Sequence, residues 1–82
     1  MVEILWTDTA KRALLKLPDR SQQEILRRVA QLALFPYLGP QMTRRWAKYR
    51  QLLAGSYRII YQVSAEGDTI VIVYLRHQRR KT

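Results

Sequence analysis

Arg58 stands inside GSYRIIY, residues 55–61, a stretch whose apolar and aromatic letters otherwise favour a buried β-strand. A guanidinium keeps its charge in any protein environment, so it needs either an anionic partner or an anionic task. Side chains alternate across a strand, which places Tyr57, Ile59, Tyr61 and Val63 in one row and Ser56, Arg58, Ile60 and Gln62 in the other. The first row is the more apolar and belongs beneath whatever covers the sheet, so Arg58 is expected on the open face. Further cations lie on the neighbouring candidate strands: Lys48 and Arg50 on the preceding one, Arg76 and His77 at the end of the last. Converging cations repel each other and are favoured when an anion visits them. Phosphate is the obvious visitor, because the arginine fork grips it in bidentate fashion. The alternative is a salt bridge within the chain, for which Glu66 and Asp68 are the nearest downstream acids.

The elements that must position these residues read as β-α-α-β-β-β. VEILWT opens as a short strand, and Thr7 or Asp8 can cap a helix reaching to about Leu17, with Ala10, Ala13, Leu14 and Leu17 on one face. Pro18 ends it. A second helix follows from Asp19 to Pro36, with Ile25, Val29, Leu32 and Ala33 as its buried stripe and Arg27, Arg28 and Gln31 facing water. Asp19 with Gln22, or Ser21 with Glu24, could form a capping box. The turn between the helices is tight, so they form an antiparallel hairpin. PYLGPQ is a loop. KYRQLLA, SYRIIYQV and TIVIVYLRH then read as three strands of an antiparallel meander, with AEGD as the turn between the last two. The expectation is an α+β fold, a small antiparallel sheet packed on a helical hairpin. Trp6 and Trp46 are expected in the core, with base stacking as the alternative, and Tyr49, Tyr57, Tyr61 and Tyr74 likewise.

At 82 residues, 1–82 is expected to be a single domain. The absence of cysteine excludes disulfides and thiolate metal sites, and no metal or cofactor is expected. The longest apolar run, IVIVYL, is far short of the roughly 20 residues of a spanning helix. MVEILW lacks a basic region ahead of an apolar stretch, so no secretory signal is expected and a cytoplasmic location follows. The net charge is +9. It is lopsided: residues 44–82 hold nine basic and two acidic residues, and no acid occurs between Phe35 and Ala65. Such a field steers in polyanions or acidic protein partners.

Three blocks carry a family resemblance: the helical hairpin ending in LALFP, the segment YRQLLAGSYRIIY, and the closing strand VIVYLRHQRR. Together with length, element order and charge, they make the chain similar to toxins of the RelE/ParE superfamily of type II toxin–antitoxin modules. The resemblance covers nearly the whole chain. It implies the RelE-like fold, a cognate antitoxin held in a hetero-oligomer, and one of two activities. RelE-like members cut mRNA in the ribosomal A site. ParE-like members bind and inhibit DNA gyrase without nuclease chemistry.

Ribosome-dependent mRNA cleavage is the first expectation, by a metal-independent endoribonuclease that inhibits translation; gyrase inhibition is the alternative. On the first, Arg58 matches the family arginine that meets the scissile phosphate, and His77 lies where several members place a catalytic His or Arg. The 2′-hydroxyl attacks its own phosphate, so the reaction needs a proton acceptor, a cation for the developing charge, and an acid for the 5′-oxygen. Arg58 suits the second role. His77, the sole histidine, suits the acid, because imidazole exchanges protons at neutral pH. Lys48, Arg50, Arg76, Arg79 and Arg80 would contact flanking phosphates, or an acidic antitoxin in the case of the tail. Two positions depart from the nuclease pattern. Leu52 or Leu53 replaces a second lysine, and no tyrosine follows the last strand.

Overall fold

The structure, a computed structural model, describes residues 2–78. Strand β1 (Glu3–Trp6) leads into helices α1 (Asp8–Leu15) and α2 (Asp19–Leu34). A short 3-10 helix (Arg44–Trp46) precedes strands β2 (Arg50–Ala54), β3 (Tyr57–Val63) and β4 (Thr69–His77). The expected meander is present, with β2, β3 and β4 antiparallel in order. The sheet is mixed, however, and not wholly antiparallel: β1 adds to β4 in parallel and gives the order β1-β4-β3-β2. A parallel partner requires a crossover, and the helical hairpin supplies it.

The helices cover one face of the sheet. Ala10 and Leu14 from α1, and Ile25, Val29 and Leu32 from α2, pack on Leu52, Ala54, Ile59, Tyr61, Ile70, Ile72 and Leu75. Thr7 caps α1, its Oγ1 accepting from the Ala10 N–H at 3.1 Å. The capping box expected at α2 does not form. Pro18 occupies the cap and carries no side-chain acceptor, and Gln22 donates instead to the Leu17 carbonyl at 2.8 Å.

One irregularity sets which side chains of β4 reach which face. Tyr61 pairs with Ile72 and Ile60 with Tyr74, so Val73 is an extra residue in β4. A bulge of this kind moves the alternation on by one residue. Before it, Ile70 and Ile72 point to the helices; after it, Leu75 does, opposite Ile59. Thr7 stabilises the bulge by donating from Oγ1 to the Val73 carbonyl at 2.9 Å. Among the described residues no helix is long and apolar enough to cross a membrane.

Candidate anion-binding face

Arg58 lies on the sheet face turned away from the helices, as alternation predicts. Its neighbours in the row, Ile60 and Gln62, leave the buried set to Ile59 and Tyr61. Its cross-strand partner is Arg76. Two like charges placed directly opposite destabilise a pair by roughly 0.2–1 kcal/mol. No carboxylate relieves them among the described residues. Arg58 donates from Nη1 to Gln51 Oε1 at 3.3 Å, and its Nε is buried without a hydrogen-bond partner. The acids considered as partners are occupied elsewhere or exposed: Asp68 accepts from Ser64 at 2.9 Å, and Glu66 sits in the exposed turn. Arg58, Arg76, His77 and Gln78 line a depression of about 360 Å³.

The remaining candidates differ in placement, and of them His77 alone reaches the depression, from the other row. The bulge at Val73 brings Arg76, not His77, onto the row of Arg58. His77 pairs with Tyr57, and their rings meet edge-on at 5.0 Å; Tyr57 packs against the core. Arg50 does not converge with Arg58 either. It pairs with Tyr61, on the helix-covered face, donates from Nη1 to the Gly39 carbonyl at 2.9 Å and lies 4.9 Å from the centre of the Tyr37 ring. Its charge is spent fastening the loop after α2 to the sheet. Lys48 is exposed, its Nζ 5.4 Å from the Tyr49 ring centre. Arg79 and Arg80 lie outside the described residues.

The same loop makes a second feature on the open face. Met42, Trp46 and Tyr49 arch over Ile60, Val73 and Tyr74, and a groove of about 710 Å³ runs between them to Arg76, with Thr7 and Thr9 also on its walls. Trp46 and Tyr74 are 53% and 46% exposed, so neither is the core residue expected. The turn that presents Trp46 holds Arg44 at φ 60°, a left-handed conformation that costs about 1–2 kcal/mol for a residue other than glycine.

Behind the face, Tyr61 locks the loop in register. Its fully buried hydroxyl donates to the Pro36 carbonyl at 3.0 Å and accepts from the Gly39 N–H at 2.9 Å. Burial pushes its pKa above the usual tyrosine value, against the opposing effects of the Gly39 hydrogen bond and the Arg50 charge. Among the described residues no three His, Cys, Asp or Glu side chains gather as metal ligands.

Sequence reasoning missed Arg28. It donates from Nε to the Leu53 carbonyl at 2.9 Å, and shares with Arg58 a second depression of about 360 Å³ at the edge of β2. Its place on the polar side of α2 carried no signal of this. For Arg50 a signal was available. Arg50, Leu52 and Ala54 fall in one row, and that row is the apolar one.

Residues 4–82 match the family model described as the ParE toxin of the type II toxin–antitoxin system, parDE. The toxin–antitoxin complex RelBE2 from Mycobacterium tuberculosis is similar, with 30% identity, a TM-score of 0.70, and 93% of this chain and 96% of that chain covered. The isolated E. coli RelE toxin is similar in fold at 17% identity and a TM-score of 0.82, over 99% of this chain and 88% of that chain. So is a chain of the chromosomal ParDE system from P. aeruginosa, at 18% identity and 0.77, over 96% of this chain and 98% of that chain. No curated protein matches.

Proposed function

The chain belongs to the ParE toxins of type II toxin–antitoxin systems, within the RelE/ParE superfamily, and from that premise we propose that it acts by binding DNA gyrase through its open sheet face. The observation that carries this reading is the make-up of that face. Arg58 and Arg76 stand together beside an aromatic groove, and His77, at the rim of the depression they share, turns its ring edge-on to Tyr57 on the other row. Cleavage of RNA without a metal needs groups that take and give protons. Guanidiniums hold theirs, so the arginine pair supplies charge stabilisation and nothing more. A binding toxin has no such need. Aromatic side chains beside arginines are what a protein interface uses as its anchors.

On this reading a cognate antitoxin silences the chain in a hetero-complex. Similar chains from M. tuberculosis and E. coli are seen in complexes with their antitoxins. The second reading, ribosome-dependent mRNA cleavage, draws support from the unneutralised pair itself. Arg58 and Arg76 would hold the scissile phosphate, and His77, which lines the same depression, would protonate the leaving oxygen.

Two assays run in parallel separate the readings. One measures supercoiling by purified gyrase; the other maps mRNA ends in a reconstituted translation system. Inhibited supercoiling with intact mRNA is expected. New mRNA ends with normal supercoiling would replace the binding reading with the nuclease one.

A further inference from the structure

Arg76 lines two cavities at once: the depression it shares with Arg58, and the groove under Met42, Trp46 and Tyr49. The groove follows β4 from Val73, where Thr7 is bonded, to Arg76. Three residues of strand span roughly 10 Å, about the length of a two-ring aromatic acid. A volume of about 710 Å³ lies within the range of small-ligand sites, roughly 300–1,000 Å³. The floor of Ile60, Val73 and Tyr74 faces Trp46 and Tyr49, whose rings are 6.0 Å apart and tilted by 48°. Trp46 and Tyr74 are half exposed, so apolar ring surface meets water here and a ligand would cover it.

The polar groups indicate the kind of ligand. Arg76 holds its charge at one end, and its cross-strand partner is a second guanidinium. Asp8, the acid nearest in sequence to the groove's threonines, heads α1 and is not on the walls. A nucleobase presents a row of donors and acceptors, whereas among the described residues no Asn, Gln, Asp or Glu side chain lines the groove. A ring without polar edges fits better. We propose that the groove is a site for a small planar aromatic acid, its rings in contact with Trp46 and Tyr74 and its carboxylate on the Arg76 fork. The rings gain offset or edge contacts with their aromatic neighbours. The carboxylate gains a charge-assisted pair and relieves the repulsion between Arg76 and Arg58. The site does not depend on which target the toxin stops.

The test uses the full chain with 2-naphthoate, the neutral 2-naphthalenemethanol and thymidine monophosphate. NMR follows the Trp46 indole N–H and the Arg76 Nε–H, with the Trp6 indole, packed against the core, as internal reference. Naphthoate should shift Trp46 and Arg76 along one binding curve and leave Trp6 in place. The alcohol should bind about tenfold more weakly, having no charge for Arg76. Arg76→Gln and Trp46→Ala should each weaken naphthoate about tenfold. Arg27→Gln removes the same charge from the exposed side of α2 and should change binding less than twofold. Should Trp46→Ala unfold the chain, Tyr74→Leu should still lose severalfold in affinity. A still Trp46 resonance, equal binding of the alcohol, or undiminished binding by Arg76→Gln would each overturn the proposal. Tighter binding of thymidine monophosphate would overturn it in favour of a nucleotide. No gyrase is present, so failure here leaves the gyrase reading to its own assay.

Discussion

Arg58 on β3 and Arg76 on β4 are cross-strand partners on the uncovered face of the sheet, and they meet there because β4 carries one extra residue, Val73. Were Val73 paired in regular register instead of bulged, Leu75 would stand opposite Arg58, and His77 would take the row that Arg76 now holds. The make-up of the open face therefore depends on a backbone irregularity some distance along the strand.

Thr7 secures that irregularity. Its hydroxyl caps α1 and donates to the Val73 carbonyl. Thr7→Val keeps the shape and removes both bonds. The expected loss is about 2 kcal/mol, from a cap worth about 1 and a second hydrogen bond of similar size. In a domain this small, that lowers the melting temperature by about 10 °C. A change of less than about 2 °C in thermal unfolding would contradict the assignment.

Gly39 allows the loop to lie flat on β2. A methyl group there would sit 2.5 Å from the Gln51 carbonyl oxygen and 3.0 Å from the Tyr61 ring. The nearer obstacle is backbone and has little room to give. Gly39→Ala should destabilise the chain by about 1–3 kcal/mol, read from urea unfolding.

Tyr61 makes stability depend on alkaline pH. Its folded pKa is raised by burial, so the folded chain resists losing that proton more than the unfolded chain does. The contribution is whole below the unfolded value of about 10 and is lost as pH climbs from there through the raised folded value. Tyr61→Phe should be less stable at neutral pH, because the Gly39 N–H loses its acceptor. It should also show a shallower fall above about pH 10. Urea unfolding of both proteins from pH 8 to 11 measures the two slopes, and parallel slopes would sink the assignment.

The arginine pair should be a burden to the free fold. Arg58→Met removes the repulsion from Arg76 and the unpaired Nε. Stability is then expected to stay level or rise by up to about 1 kcal/mol. A loss of 2 kcal/mol or more would show that the guanidinium is structural.

Much of this was readable from the residues alone. Helix periodicity picked out Ile25, Val29 and Leu32, and alternation put Arg58 on the open face, because in those segments one row is plainly more apolar. β4 defeated the same reasoning. Val71 and Val73 are as apolar as Ile70 and Ile72, so no pattern marks the row, and a bulge leaves no trace in composition. The parallel pairing of β1 was hidden for a different reason. Strand partners far apart in the chain are set by packing of the helical crossover, which periodicity does not encode. Arg50 and Arg28 show the converse limit of charge counting. The first has its charge turned to loop carbonyls, and the second reaches the sheet edge from a helix face that reads as solvated.

The most direct measurement is supercoiling by purified gyrase, titrated with the wild-type chain, Arg58→Ala, Arg76→Ala and Arg50→Ala. The account predicts that the first two substitutions each raise the half-inhibitory concentration at least about tenfold, as expected for arginines central to an interface. Arg50→Ala should matter less once corrected for the folded fraction. Half-inhibition at the wild-type concentration by both Arg58→Ala and Arg76→Ala would contradict it.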